Sequence, residues 1–270
     1  MVRRVFPLVL VSVCLTVSAC GDKSPSAPTV IGPSSVTVSS TSDILFLGAS
    51  ETFTGTATFA ATGAQPLTGA TWGTDAPGTV TVDAATGRVT GKASGQATVF
   101  ADLQGVRGTR LVRVLPNYQG PWTGGYSVDT CTESGDLIGS GICGDVFQVG
   151  RVLPVHLLMT QTRDAVAAQT FLGSIAGAGT GPVQSDGVLL LASTSQTGDV
   201  SEQTAWRLVS GEPGRATGTM TIILRVSGAS GEVRVGSTIH DLTRDSAPSA
   251  KPQVPVASNL HGVARLMTRD

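Results

Sequence analysis

The sequence predicts an all-β protein, in which a β-sandwich is followed by an eight-stranded antiparallel up-and-down barrel. Two features of its 270 residues indicate this class, since only 14% of them are charged and 34 are glycine. That composition favours many short strands joined by tight turns over a helical bundle or a disordered polyelectrolyte. The third feature is the residue pattern, because β-branched residues alternate with small or polar ones and no segment keeps a helical period for long.

Residues 1–19 predict a secretory signal peptide. Arg3 and Arg4 precede an apolar stretch over residues 5–19 that ends in small residues. A membrane-spanning helix needs about 20 consecutive apolar residues, and this stretch is shorter. We therefore expect the segment to direct export and then to be removed.

The four residues Val17-Ser18-Ala19-Cys20 resemble the lipobox of bacterial lipoproteins. The resemblance implies that Cys20 is lipidated and becomes the first residue of the mature chain. One acyl chain holds a membrane reversibly, whereas two or three make a lasting anchor. Gly21, rather than an acidic residue, follows the cysteine, which in proteobacterial lipoproteins implies release to the outer membrane. A simple signal peptide with a chance cysteine at its end is the alternative.

Residues 20–34 are rich in proline and serine and lack an apolar period, so they predict an extended tether.

The whole chain has 18 basic and 19 acidic residues, and two of the basic ones leave with the signal peptide. The mature chain therefore has 16 basic and 19 acidic residues, a net charge of −3. That balance argues against a nucleic-acid partner.

Two cysteines remain once Cys14 is assigned to the signal peptide and Cys20 to the anchor. Cys131 and Cys143 are 12 positions apart, and in an oxidising envelope such an isolated pair predicts a disulfide. Closing so short a loop stabilises the fold by about 3 kcal/mol in the chain-entropy model. A zinc site is the alternative, but no histidine or further cysteine lies nearby in the sequence.

Residues 35–116 form the first predicted domain, a β-sandwich of short strands separated by Gly, Pro and Asp turns. Trp72 has too large an apolar face to leave exposed, so we expect it to pack between the sheets. Gly87 is expected to take a positive φ in a turn. Strands are expected at residues 36–38, 52–60, 80–82, 97–101 and 110–115.

The same segment resembles the bacterial Ig-like domain of group 2. The resemblance rests on Gly48, on Trp72 in ATWGTD, and on the stretches GTVTVD, TGRVTG and GQATV. In that family the domain is a spacer or adhesion module and carries no catalytic residues. The resemblance therefore implies a spacer that extends the next domain from the membrane, or direct adhesion through its loops.

Residues 117–245 form the second predicted domain. Trp122, Tyr126 and Val128 share one face of its first strand, as in a half-buried strand. Seven further strands are linked by short turns, and such a meander leaves two exposed edges unless it closes into a barrel. A sandwich without a cavity is the alternative. The seven strands are expected at residues 155–162, 165–172, 175–183, 188–195, 203–210, 215–226 and 232–242.

This second segment resembles the lipocalin and calycin barrels. Gly120 and Trp122 match their G-x-W at the first strand, and the resemblance gives Arg244 the role of the basic residue that packs on the tryptophan. The chain lacks a recognisable helix packed on the barrel, so the ligand class of secreted lipocalins is not carried over. An apolar lining would suit a small apolar ligand, and an ordinary filled core would have the same lining. The inward-facing residues are expected to be Met220, Ile222, Leu224, Val226, Val233, Val235 and Ile239.

The sequence contains no catalytic motif, neither G-x-S-x-G nor H-E-x-x-H. His156 lies in an apolar strand and predicts a core or lining residue, while His261 is far from it in the chain. His240 beside Asp241 comes nearest to an acid–base pair. We therefore expect a protein that is not an enzyme and has no cofactor or metal.

The expected function is non-catalytic binding at the cell envelope. The lipid would bind the membrane, and the partner would be either a small apolar molecule in the barrel or a macromolecule at the cell surface. The long loop that contains the disulfide pair is expected at the barrel mouth, where binding loops usually lie. The alternative is a structural or cell-adhesion protein with no cavity. Residues 246–270 predict a disordered tail.

Overall fold

The computed structural model describes residues 32–173 and 175–245. Within these ranges the chain is all-β and folds into an Ig-like sandwich followed by a closed antiparallel barrel, which confirms the predicted class. The predicted signal peptide, the predicted Cys20 anchor, most of the predicted tether and the C-terminal segment lie outside the described residues.

The first domain contains ten strands in three small sheets. The sheet orders are β1-β4-β5, β2-β10-β9-β6 and β3-β8-β7, and β2 pairs with β10 in the parallel direction. The strands are β1 (Ser35–Ser39), β2 (Ile44–Phe46), β3 (Ser50–Thr52), β4 (Thr54–Phe59), β5 (Gly63–Pro66), β6 (Thr71–Thr74), β7 (Val80–Val82), β8 (Arg88–Gly91), β9 (Gly95–Leu103) and β10 (Val106–Leu115).

The core of the first domain packs around Trp72, as expected. Its indole is buried with Phe53 and with valines from several strands. Gly87 has a φ of 68°, and a Cβ at this position would lie 2.8 Å from the indole ring. Glycine therefore serves both the turn and the close approach of the tryptophan, and the expectation of a positive φ is confirmed.

The predicted continuous strand over residues 52–60 is wrong. Phe53 is buried, and its backbone N–H donates to the carbonyl of Gly87 at 3.0 Å instead of joining a ladder. The chain breaks at this residue into β3 and β4, which belong to different sheets.

The second domain is a closed barrel of eight strands in chain order. Each strand is antiparallel to the next, and β18 pairs with β11 to complete the ring, so the barrel is confirmed over the open sandwich. The strands are β11 (Gly120–Glu133), β12 (Val152–Thr162), β13 (Ala165–Leu172), β14 (Ile175–Pro182), β15 (Leu189–Thr197), β16 (Val200–Glu212), β17 (Arg215–Val226) and β18 (Val233–Arg244).

A stripe of glycines lets β15 approach the inner face of β14. Gly177, Gly179 and Gly181 occupy alternate positions of β14, in phase with buried Ile175 at its start. A Cβ at Gly181 would overlap the carbonyl oxygen of Leu190 on β15. A side chain at these positions would therefore meet the backbone of β15, so this face of β14 needs glycine.

Tyr118 and Trp122 close the barrel end that faces the first domain. Both side chains are fully buried. The Tyr118 hydroxyl lies within hydrogen-bond distance of the carbonyls of Gly187 (3.1 Å) and Leu208 (3.2 Å), and the Trp122 indole N–H donates to the Tyr118 carbonyl at 2.8 Å. These bonds connect the start of the barrel to strands on its far side.

Polar and apolar contacts join the first domain to this barrel end. Arg113 of β10 pairs with Asp164 at 3.0 Å, and Arg163 pairs with Asp43 at 2.6 Å. The Arg163 guanidinium lowers the pKa of the Asp43 carboxyl, chiefly through this hydrogen bond. Leu115 of β10 also belongs to the apolar cluster of the barrel. The two domains therefore form one unit, with the first domain seated on one end of the barrel.

Gly181→Ala should destabilise the barrel by about 3 kcal/mol, because the new methyl group overlaps a backbone oxygen that cannot move without shifting β15. The free energy of unfolding, measured by urea denaturation, checks this expectation. Gly211→Ala is the matched control, since nothing lies within 4 Å of a Cβ at that strand position. Equal stability of the two variants would contradict the close approach of β15 to Gly181.

Candidate functional site

The candidate site is the barrel end that faces away from the first domain, which we call the stapled end. It contains the β11–β12 loop, residues 134–151, and the β17–β18 loop, residues 227–232. Cys131 and Cys143 form the predicted disulfide, with their Cα atoms 5.5 Å apart. The disulfide joins the end of strand β11 to a π-helical turn, Ile142–Val146, within the loop.

Glu133 at the end of β11 holds the β11–β12 loop through hydrogen bonds. Its carboxylate accepts hydrogen bonds from the backbone N–H groups of Gly139 (2.8 Å) and Cys143 (3.0 Å) and from the Ser140 hydroxyl (3.1 Å). The bond from the Cys143 N–H is the largest of the effects that hold the pKa of Glu133 below its ordinary value. Asp136 ties the same loop to the β17–β18 loop by accepting the Ser230 N–H at 2.8 Å.

The β11–β12 loop both caps the barrel and exposes apolar side chains. Leu137, Ile142 and Phe147 are buried in the apolar cluster of the barrel. Two other residues of the loop and the first residue of β12 point outward, and we call them the loop apolar group: Ile138, Val149 and Val152, which are 72%, 61% and 66% exposed. Among the described residues they are the three most exposed large hydrophobic side chains. Apolar side chains on a loop held in place are typical of a docking surface.

The seven predicted lining residues belong to the barrel interior. Six of them are buried in one cluster with side chains from the other strands and from the loop cap, and Val226 is half-buried against it. Side chains that pack on one another in this way form a filled core rather than the wall of a large apolar cavity. The buried six are Met220, Ile222, Leu224, Val233, Val235 and Ile239.

The three barrel-signature residues lie together at the opposite end. The Arg244 guanidinium carbon is 6.0 Å from the centre of the Trp122 ring, and Arg244 is paired with Trp122 across β18 and β11. Gly120 has a φ of 111°, and a Cβ there would touch the Arg244 side chain at 3.5 Å. This arrangement seals the barrel floor and contributes nothing to the stapled end.

Sequence reasoning missed a polar group inside the barrel. The Ser193 hydroxyl lies within hydrogen-bond distance of Thr170 and Thr204, and the Trp206 indole N–H donates to Thr204 Oγ1 at 2.6 Å. Glu202, two positions before Thr204 on the same face of β16, is only 5% exposed. Glu202, Thr204 and Trp206 occupy alternate positions of β16, so they share the inward face of the strand. The sequence did not predict this polar group, because two of the three residues are polar and a buried face is usually apolar.

Burial raises the pKa of Glu202 to about 7. The carboxylate loses its hydration inside the barrel, and its Oε2 has no hydrogen-bond partner among the described residues. Tyr126 is also buried, and its pKa is raised mainly by desolvation and then by the charge of Glu202, while Arg151 lowers it. The neutral acid is therefore the favoured form at mildly acidic pH.

His156 and His240, the two histidines in the described part of the chain, are not arranged as a nucleophilic triad. His156 is half-buried and alternates with inward-facing Val155 and Leu157, so the prediction of a core or lining residue is wrong and the strand pleat places it outside. His240 Nε2 lies 3.0 Å from the Ser127 hydroxyl, which donates to Asp129 at 3.1 Å. The carboxylate thus contacts the serine and does not orient the imidazole, as a nucleophilic triad would need. His261 lies outside the described residues.

In residues 32–173 and 175–245, no three or more His, Cys, Asp or Glu side chains are grouped so that they could hold a metal ion. No helix in this part of the chain is long and apolar enough to cross a membrane.

Comparisons with known proteins identify the first domain. Residues 34–109 match the family model of the bacterial Ig-like domain (group 2), which confirms the resemblance seen around Trp72. The match ends before the barrel, so the lipocalin-like resemblance of the barrel stays a prediction. Among solved structures, the chain is similar to the S-layer protein SbsC, domains 5-6, with 15% identity and a TM-score of 0.27 over 76% of this chain and 96% of that one. A search of the curated proteins finds no match.

The stability of the barrel should fall as the pH rises from about 4.5 to about 8. The folded-state pKa of Glu202 is raised to about 7, so the folded state holds a proton that the unfolded chain releases near pH 4.3. The lost stability is about 3 kcal/mol by pH 8. Glu202→Gln should remove this component and unfold at higher urea concentration than the wild type at about pH 8.

Urea denaturation at several pH values measures this effect. Glu212→Gln is the matched control, because Glu212 is exposed on the same strand. The desolvation of Glu202 would be contradicted if the free energy of unfolding changed with pH in the same way in the wild type and in the Glu202→Gln variant.

Proposed function

We propose that this protein is a non-catalytic module of the bacterial cell surface, which presents the stapled end of its barrel to a macromolecular partner. The observation that carries the proposal is the difference between the two barrel ends: one contacts the first domain, and the other exposes apolar side chains. The first domain occupies one end through Arg113, Arg163 and Leu115. The other end exposes Ile138, Val149 and Val152.

The preorganised state of the stapled end supports a binding role. The disulfide and the three hydrogen bonds to Glu133 hold the β11–β12 loop in one conformation before any partner arrives. A loop ordered in advance loses less conformational entropy on binding, so more of the contact free energy appears as affinity. Burial of the loop apolar group then supplies the driving force.

The packed interior favours this function over transport of a small apolar molecule. A ligand in the barrel would have to displace side chains such as Met220 and Ile222, which are buried among their neighbours. A surface partner needs no such rearrangement. A purely structural spacer is the second candidate, because bacterial Ig-like domains serve as spacers, and in that role the loop apolar group would have no partner.

We further propose that Cys20 anchors the protein to the membrane through lipid, at the outer membrane if the host is Gram-negative. The support is the VSAC stretch after a basic and apolar segment. The tether then spaces the Ig-like domain from the bilayer, and the barrel lies beyond it.

Cys20→Ala should move the protein from the membrane fraction to the soluble fraction, since the acyl chains supply the lasting attachment. Fractionation of expressing cells with detection of the barrel checks this. Cys14→Ala is the matched control, because that cysteine lies inside the signal segment and should leave attachment unchanged. Retention of the Cys20→Ala protein on the membrane would reject the anchor.

A triple variant, Ile138→Ser with Val149→Ser and Val152→Ser, should lower partner binding about tenfold or more, because it removes the exposed apolar side chains of the proposed docking surface. Adhesion of cells that display the full chain, to one another and to immobilised envelope or matrix material, measures this. The matched control carries Leu111→Ser, Leu190→Ser and Val209→Ser, which are exposed apolar residues elsewhere. Adhesion that is equal in both variants, or absent in the wild type, would reject the docking surface and favour the structural spacer.

A further inference from the structure

The outer wall of the barrel is uncharged over four consecutive strands. Strands β12, β13, β14 and β15 contain no Asp, Glu, Lys or Arg residue. Each of the other four barrel strands contains at least two. We call the outward-facing side of β12 to β15 the uncharged wall.

Burial within the barrel does not explain the missing charges, because this side of the strands faces outward. Ala167, Ala178 and Ala192, on three different strands, are all exposed. A soluble surface usually has charged residues of both signs at about a quarter to a third of its positions. The cores of protein interfaces are instead depleted of charged residues. The uncharged wall therefore has the composition of an interface.

The shape of the wall supports the same interpretation. A shallow depression of about 570 Å³ is lined by side chains of all four strands, from Leu158 on β12 to Thr194 on β15. Its lining includes the small side chains of Ala167, Ala178 and Ala192. The outside of a closed barrel is convex wherever large side chains project from it, so a depression across four strands leaves room for a side chain from a partner.

We propose that the uncharged wall binds the same wall of a second copy of this chain, in a two-fold symmetric dimer. A partner with an ordinary surface would bring charged groups that lose their hydration against the wall and find no counter-ion there. A second uncharged wall brings no such groups. In a two-fold contact, each copy offers the other both a projecting side chain and a depression. Leu158, which is 41% exposed and lines the depression, is the projecting side chain.

The wall is large enough for a stable contact. Each of its four strands has at least eight residues. With strands about 4.8 Å apart and a rise of about 3.3 Å per residue, they cover roughly 500 Å² of sheet plane. The accessible surface of a face with projecting side chains exceeds its plane, and a standard interface removes about 800 Å² per partner. The wall therefore supplies most of the area that a stable dimer needs.

The proposed dimer leaves both ends of the barrel in their described roles. The wall lies between the floor and the stapled end. The turn between β12 and β13 is at the floor, and its charged residues, Arg163 and Asp164, pair with Asp43 and Arg113 of the first domain. The dimer contact is therefore separate from the joint between the domains and from the loop apolar group.

The test is sedimentation velocity of the lipid-free mature chain, residues 21–270, at concentrations from about 1 to about 100 µM, a range suited to a dissociation constant of micromolar order. We expect a reversible equilibrium between monomer and dimer, with the mass of a dimer at the highest concentration.

Two variants place a charge in the depression, Ala178→Glu on β14 and Ala192→Glu on β15. Each should raise the dissociation constant of the dimer about tenfold or more, because each copy would bury an unpaired carboxylate. Thr217→Glu is the matched control, since Thr217 is exposed on β17 outside the wall, and it should dimerise as the wild type does. A near-ultraviolet circular dichroism spectrum equal to that of the wild type identifies each variant as folded.

The proposal is overturned if the wild type is monomeric at about 100 µM, a concentration that would populate a dimer of micromolar affinity. It is also overturned if both Glu variants of the wall dimerise as the wild type does, or if Thr217→Glu loses the dimer equally. A wild type that dimerises only after removal of residues 246–270 would identify the C-terminal segment, not a second copy, as the occupant of the wall. The triple variant of the loop apolar group should still dimerise, so this proposal and the proposed function fail separately.

Discussion

Closure of the barrel between β11 and β18 is the constraint on which the rest of the structure depends. The first strand pairs with the last after the chain has passed through all eight strands in order, and Trp122 opposite Arg244 fixes where the ring closes. Tyr118 then binds carbonyls of strands far along the chain and blocks one end. With that end blocked and covered by the first domain, the stapled end is the one that the proposed partner would contact.

The alternation of apolar and polar residues predicted the barrel strands well, because each of these strands has one buried and one exposed face. The seven strands expected after β11 all exist, with ends that differ by a few residues. The first domain was harder to predict. Its strands are short, and the break at Phe53 is caused by contacts with Gly87 and Trp72, which are far away in the sequence. The parallel pairing of β2 with β10 is equally non-local.

The sequence predicted only part of the site, because the orientation of several side chains depends on packing with residues far away in the chain. Cys131 and Cys143 could be paired by elimination, and their loop could be placed at a barrel end from chain order alone. Ile138, Val149 and Val152 could not be identified, because the sequence does not show which apolar residues of a loop cap the core and which point outward. Glu202 was missed because an acidic residue between two strands of a meander predicts an exposed position. His156 was misplaced because the pleat of β12, fixed by Val155 and Leu157, turns it outward.

The position of the barrel's two chain ends has a mechanical consequence. Strand β11 begins and β18 ends at the floor that faces the first domain. A partner that pulls on the stapled end while the other end is held would therefore load the strands along their length. Under that load, neighbouring antiparallel strands are sheared, and the hydrogen bonds of a ladder share the force instead of breaking one at a time. In the proposed surface role, a closed barrel held in this orientation would bear tension between the cell and its partner.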